Sequence, residues 1–265
     1  GAFFALPFLA MLALSFARME GRQIVPALDP GNYTRFLTDP TLFGALLNSL
    51  EITVLVTALS VVLAWPLAAI IAFRVPARWQ RLALLLAVLP FWTSYVVRSY
   101  AWLLVLGQNG VVNRALMAVG AIAEPLEIAA TRTATVIGFV HFFVMLLTLT
   151  IYANLIQLSP NYMRAAKSLG GKPFYCFLRV YMPQTMAGVA AGCLLTFILC
   201  LGYYITPALV GGPTDQMISG FIERAINSEN NWGKASALGV ILLTATLILY
   251  YVYNKLVGID RMKLG

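Results

Sequence analysis

Five apolar stretches, 44–73, 82–106, 133–156, 186–210 and 235–257, dominate this chain. Each exceeds the roughly 20 residues that a helix needs to cross a bilayer. In hydrocarbon every backbone N–H and C=O must be satisfied within its own segment, so such runs fold as helices. A sixth, shorter run, 2–16, opens the sequence. Its length suggests that part of the span lies upstream. The rival reading is a signal peptide, because "ALSFA" loosely resembles a cleavage site, although no Lys or Arg precedes the run. The expected fold is an all-α membrane protein of six transmembrane helices, one domain over 1–265.

Composition agrees. Charged residues make up 11% and hydrophobic ones 60%, where a soluble domain carries about 25% charged. A net charge of +8 would suggest nucleic acid in a soluble protein. Here the basic residues cluster at span boundaries and encode orientation instead, so no nucleic-acid partner is expected. The 74–81 loop "RVPARWQR", the 157–185 segment and the tail after 254 hold ten basic residues and one acid. Segments 17–43, 107–132 and 211–234 hold seven basic residues and eight acids. The positive-inside rule makes the first set cytoplasmic. Six spans then put both termini in the cytoplasm. The outer segments read as ordered, with Pro and Asp at turn positions in "PALDPGNYTRFLTDP" (26–40) and helical spacing of Ile218, Phe221, Ile222 and Ala225. They either cap the outer face or simply connect spans.

Catalytic signatures are missing. The closest approach to a P-loop, "SLGGKPF", lacks the first Gly and the Ser/Thr. The single histidine, His141 in "FVHFFV", has no HExxH setting and reads as a core histidine. Cys176, Cys193 and Cys200 form no CxxC pair, so neither a metal site nor a disulfide framework is indicated. No catalytic residue, metal or cofactor is expected on this chain.

Polar residues inside spans mark pathways or packing. "LPFWTSYVVRSYAW" (89–102) places Trp92, Tyr95, Arg98 and Ser99 in the third span. Read as one helix, Trp92, Tyr95 and Ser99 share a face, and Arg98 sits in the outer half within snorkelling reach of the interface. Aromatic rings and hydroxyls on that face suit an amine through cation–π and hydrogen-bond contacts. Tyr100 and Trp102 fit an interfacial aromatic belt. Tyr203 and Tyr204 fall midway in the fifth span, with Gly202 and Pro207 beside them, a pair that either bends the span or simply packs. Glu51 is the one acid near a span core. It either faces a water-filled path, where it would meet an ammonium, or lies at the interface. So few intramembrane acids argue against a proton-coupled secondary transporter.

The segment 158–185 interrupts this apolar chain. Ser159-Pro160 is a helix start, and Gly170-Gly171 supplies a left-handed stop. Pro173 opens a second helix whose Phe174, Phe177, Leu178 and Tyr181 form one apolar face. Pro183 marks entry into the fifth span. Two short helices in an L follow, and these either dock on a partner or lie on the lipid headgroups.

The spacing Ala165-Ala166-x-x-x-Gly170, with Pro183 thirteen residues on, resembles the "EAA" loop of permease subunits of bacterial type I ABC importers. "NYTRFL" (32–37), "NSL" (48–50), the 89–102 stretch, the Gly110…Asn113 turn and "AGCLLTF" (191–197) are similar to the polyamine (spermidine/putrescine) branch, on the side of its first permease. The resemblance implies a coupling helix seated in the cleft of a separate ATPase, with Arg164, Ala165, Ala166, Lys167, Gly170 and Pro183 as its residues. It also implies a second, homologous permease, two ATPase subunits carrying ATP and Mg, a periplasmic binding protein and an inner-membrane location. Related permeases handle polyamines, opines, amino-acid-like amines and aminophosphonates. At one position the chain departs from the pattern: Arg164 stands where the motif has glutamate.

Overall fold

A computed structural model describes residues 2–20, 23–25, 27–213 and 215–257. The described chain is helical apart from a two-stranded antiparallel hairpin, β1 (Arg18–Glu20) with β2 (Gln23–Val25). Three helices are long and apolar enough to cross a membrane alone: α3 (Pro40–Phe73), α7 (Arg132–Leu155) and α13 (Trp232–Val257). Two further candidate spans are helix pairs, each bent at a short break, over 77–118 and 177–202. The first helix, α1 (Ala2–Ser15), is apolar but shorter.

The chain divides into two compact units. One comprises 1–53, 99–138 and 200–253. In it α2 (Gly31–Thr38) presents Phe36 to a core of Leu42, Ala45, Ile218 and Leu238. The fragment "NYTRFL" is built into this packing. The Asn32 side chain donates to the Ser15 and Ala17 carbonyls at the end of α1 (3.1 and 3.2 Å), and the Tyr33 hydroxyl donates to Ser15 Oγ (2.6 Å). Ser49, of "NSL", accepts the Ile218 N–H at 2.8 Å. That satisfies an orphan donor at the start of α12 (Ile218–Asn227).

The Gly110…Asn113 turn is equally structural. It leads from α5 (Tyr95–Leu106) into α6 (Val111–Ala118). Asn113, fully buried, donates to the Gly107 and Leu126 carbonyls and accepts the Leu126 N–H at 2.8 Å. Gly110 leaves no room for a Cβ, which would meet the Leu104, Val105 and Gly107 carbonyls.

The other unit comprises 54–98, 139–199 and 254–265. Its core joins Ala64 and Ala68 of α3 to Leu147, Ile151 and Leu155 of α7 and Val189 of α10 (Met182–Gly202). Small residues let α10 approach α7 closely. The Asn154 side chain fills the space a Cβ at Gly188 would take, and Leu147 and Thr150 lie against Gly192. Close contact through Gly at i and i+4 is the usual way helices pack when lipid supplies no hydrophobic drive.

Candidate functional site

Two regions carry the candidate residues. In the third apolar stretch, α4 (Ala77–Val88) passes into a 3-10 turn, Leu89–Trp92, and α5 begins only at Tyr95. The stretch is therefore not the single helix expected. Pro90 cannot donate a backbone hydrogen bond, and the helix ends just after it: the Pro90 carbonyl takes a long bond from the Thr93 N–H (3.3 Å) and one from the Thr93 hydroxyl (2.6 Å), and the carbonyls of this turn can accept a further donor.

Arg98 reaches back to them. One of its terminal nitrogens donates to the Pro90 and Thr93 carbonyls at 2.7 and 2.8 Å and to Thr93 Oγ1 at 3.2 Å. Its guanidinium lies over the Phe142 ring, 5.2 Å from the centroid, where Phe91 stacks on the same ring and Tyr95 meets it edge-on. Arg98 is 7% exposed. It does not snorkel to the interface. Freed carbonyls in a stretch built for hydrocarbon must be satisfied locally, and a cation also suits the negative end of a helix dipole.

The break also dissolves the expected Trp92–Tyr95–Ser99 face. Trp92 is 87% exposed, and Tyr95 is half-buried on Phe142. Ser99 is buried and shares a 3.0 Å hydrogen bond with Thr206 Oγ1. A similar interruption occurs later in the chain. Helix α10 ends at Gly202, and α11 (Ile205–Val210) restarts after Tyr203-Tyr204, so the tyrosines sit in the break rather than within a helix. The Tyr203 carbonyl accepts from Ser219 Oγ at 3.0 Å. Tyr204 lines a cavity of about 150 Å³ together with Pro207, Gln216, Glu223 and Arg224.

Glu51 lies in the fourth turn of α3 and pairs with Arg132, the first residue of α7, at 2.8 Å. Arg132 opens a span, which places the pair at a helix end rather than deep in an apolar core. His141 is half-buried within α7.

The second region is the 158–185 segment. Helix α8 (Pro160–Ser168) ends as the sequence suggests. Gly170 adopts φ +81, and the Gly171 N–H donates to the Ala166 carbonyl at 3.0 Å, the 6→1 bond of a Schellman motif. Gly171 abuts Cys176 and the Ala166 carbonyl so closely that no Cβ fits.

The second half differs from the expected L of two separate helices. Helix α9 (Pro173–Cys176) runs through a π-helical turn, Phe177–Tyr181, directly into α10. The Met182 N–H bonds to the Phe177 carbonyl, five residues back. Pro183 follows with no N–H, so the helix widens by one residue instead of breaking. The predicted apolar face is real at two positions: Phe177 packs on Trp65 (4.3 Å between centroids) and Tyr181 on Phe73 (4.8 Å). Phe174 falls outside the described side chains.

On α8, Arg164 and Ala165 are exposed and Ala166 is half-buried. Tyr162 is 52% and Leu169 is 89% exposed. The Lys167 side chain lies outside the described residues. So a rigidly terminated helix presents apolar and basic side chains that nothing in the described chain covers.

Residues 60–257 match the family described as "Binding-protein-dependent transport system inner membrane component". The chain belongs to this family. These permeases are transport components of the inner membrane, not enzymes, and the chain is accordingly a multi-pass inner-membrane protein. It is 32% identical over 260 residues to the spermidine/putrescine transport system permease protein PotB of Haemophilus influenzae, covering 97% of this chain and 90% of that one. It is 30% identical to the inner membrane ABC transporter permease protein YdcU of Escherichia coli, covering 89% and 78%. Among solved structures, a bacterial ABC transporter that imports the acidic polysaccharide alginate superposes with TM-score 0.78 at 17% identity, over 96% of this chain and 89% of that one. The MetNI methionine ABC transporter gives 0.64 at 13%, over 82% and 94%. At such identities the likeness is one of fold, and it extends the importer-permease fold to nearly the whole chain.

Several family-like motifs thus turn out to hold the scaffold. Sequence reasoning had no handle on the Arg98 clamp, because its carbonyl partners are backbone atoms; Pro90 was the one signal of a break.

Proposed function

We propose that this permease is one half of the translocation path of an ATP-driven importer for polyamines such as spermidine and putrescine. The observation that carries the substrate class is the PotB relationship across 97% of the chain. In this reading six spans place both termini in the cytoplasm. A second, homologous permease completes the path, two ATPase subunits bind and hydrolyse ATP with Mg, and a periplasmic binding protein delivers the solute. The exposed α8 is the element that meets an ATPase. Its Gly170 stop fixes its C-terminal end, and the Phe177–Trp65 and Tyr181–Phe73 contacts tie the chain that follows to α3, so a push on α8 reaches α10 and α3.

Selection of the solute rests mainly with the binding protein. A polycation held by the spans would need several carboxylates, but Glu51 already pairs with Arg132. The test is reconstitution of the four-component complex in proteoliposomes. Polyamines should stimulate ATPase activity and uptake. Stimulation by another amine with none by polyamines would remove the substrate assignment while leaving the importer architecture in place.

A further inference from the structure

A groove of about 530 Å³ runs along α4. Arg81 stands at one end and Trp92 at the other, with Leu85, Val88 and Leu89 between them and Leu149 of α7 as the far wall. Positions 81, 85 and 88 recur at helical spacing and so form one stripe of α4, which the 3-10 turn carries on to Trp92. From Arg81 to Trp92 the path is about 18 Å long at 1.5 Å per α-helical and 2.0 Å per 3-10 residue. That is just over half of the ~30 Å hydrocarbon core, close to the depth of one leaflet.

Arg81 lines the head of the groove; Arg78 lies one helical turn before it on α4 and Arg74 in the loop that leads in. All three are exposed, and among the described residues no ion pair engages any of them. Arg78 lies over the Trp79 ring at 5.8 Å, and Trp79 is 50% exposed. An Arg–Trp pair of this kind belongs at the headgroup level. The Gln80 amide donates to the Ala72 and Val75 carbonyls at 3.0 and 3.2 Å, fixing the turn that presents the arginines. Basic residues at the mouth of an apolar groove are the chemistry of an anionic headgroup above an acyl chain.

We propose that this groove is a binding site for an acidic phospholipid. One acyl chain lies along Leu85, Val88 and Leu89, and the phosphate is held by Arg81 with Arg78 or Arg74. A second protein helix is the rival occupant. It would fill the apolar stripe but leave the three guanidinium groups without a counter-charge, whereas a single lipid satisfies both the length and the charge. The site depends on the membrane embedding of the chain and not on the transported solute.

The test uses the assembled importer in nanodiscs containing phosphatidylglycerol with a photoreactive acyl chain. Peptide mass spectrometry should place adducts within 84–92, and phosphatidylcholine carrying the same group should label that segment about fivefold less, as expected for the loss of roughly one arginine–headgroup attraction. R81Q should lower phosphatidylglycerol labelling by a similar factor, and R81K should restore it. L85W, at a position 57% exposed, fills the groove with the arginines intact and should abolish labelling. The proposal is overturned by labelling that ignores headgroup charge and R81Q, by adducts that avoid 84–92, or by a photoreactive side chain at position 85 that cross-links to the second permease rather than to lipid.

Discussion

Arg98 closes a ring on its own chain, donating to the Pro90 carbonyl at 2.7 Å across the break that separates the 3-10 turn from α5. The side chain adds a charged donor to a carbonyl that also accepts from the Thr93 N–H and hydroxyl. Charge-assisted bonds of this kind contribute about 1.5–3 kcal/mol each. R98M should therefore destabilise the purified permease by about 3 kcal/mol, measured by thermal unfolding in detergent. R98K keeps the charge but lacks the planar fork that serves the Pro90 and Thr93 oxygens together, so it should recover less than half of the loss. Equal stability of R98M and wild type would show that the clamp contributes nothing.

Gly170 separates conformation from contact. A Cβ there meets nothing within 4 Å, yet φ is +81. Only the backbone penalty of about 1–2 kcal/mol opposes a substitution. G170N, which tolerates the left-handed region, should preserve uptake. G170V should leave assembly intact but lower transport per ATP hydrolysed, because α8 loses its fixed end. Proteoliposomes that retain full solute-stimulated ATPase and uptake with G170V, or with the bulkier G170W, would sink the coupling role.

The helical membrane class, the apolar stretches and the Ser159-Pro160 to Gly170-Gly171 boundaries of α8 could be read from sequence because each depends on local chemistry: run length, caps and a left-handed glycine. The break at Thr93-Ser94 was hidden because its flanks are as apolar as any span, and periodicity across it still looks helical. Fusion of α9 with α10 was hidden for a related reason. Pro183 usually marks a boundary, and only the preceding π turn shows how the helix absorbs it. The roles of Ser49 and Ser99 were out of reach because their partners lie far away in sequence: Ser49 meets Ile218, and Ser99 meets Thr206.

Ser99 and Thr206 share one buried hydrogen bond between α5 and α11. Gly138 presses on the same site, since a Cβ there would lie 2.8 Å from Thr206 Cγ2. S99A and T206V should each cost about 1 kcal/mol, and the double mutant should show a coupling of about 0.5–1.5 kcal/mol. Strict additivity of the two in thermal melts would mean the hydroxyls do not interact.

Asp29 makes the segment beside the hairpin acid-sensitive. The Gly31 N–H donates to Oδ1 at 2.8 Å and Arg18 pairs with Oδ2 at 2.8 Å, and these contacts, the backbone bond first, hold its carboxyl below the ordinary range. A depressed folded value gives a contribution that is fully present above the unfolded pKa of about 3.9 and lost as pH falls through the folded value. Protease resistance of the 16–31 region should hold from neutrality down to about pH 4 and decline below it. D29N should remove that acid-side decline by weakening the region at every pH. A decline already complete at pH 6 would point to another group.

Glu51 decides between two accounts of the path. Its pair with Arg132 is partly exposed, with the glutamate side chain 68% and the arginine 32% accessible. Such pairs contribute about 0–1 kcal/mol, so E51Q should barely move the melting temperature. If the carboxylate serves only this pair, E51Q and R132Q should each leave polyamine uptake within about twofold of wild type, a change of less than about 0.5 kcal/mol in the barrier. If instead Glu51 meets the ammonium, E51Q should abolish uptake, whereas R132Q, by freeing the carboxylate, should raise it. The sign of the R132Q effect separates the accounts, and uptake that falls steeply in E51Q while rising in R132Q would return Glu51 to the solute path.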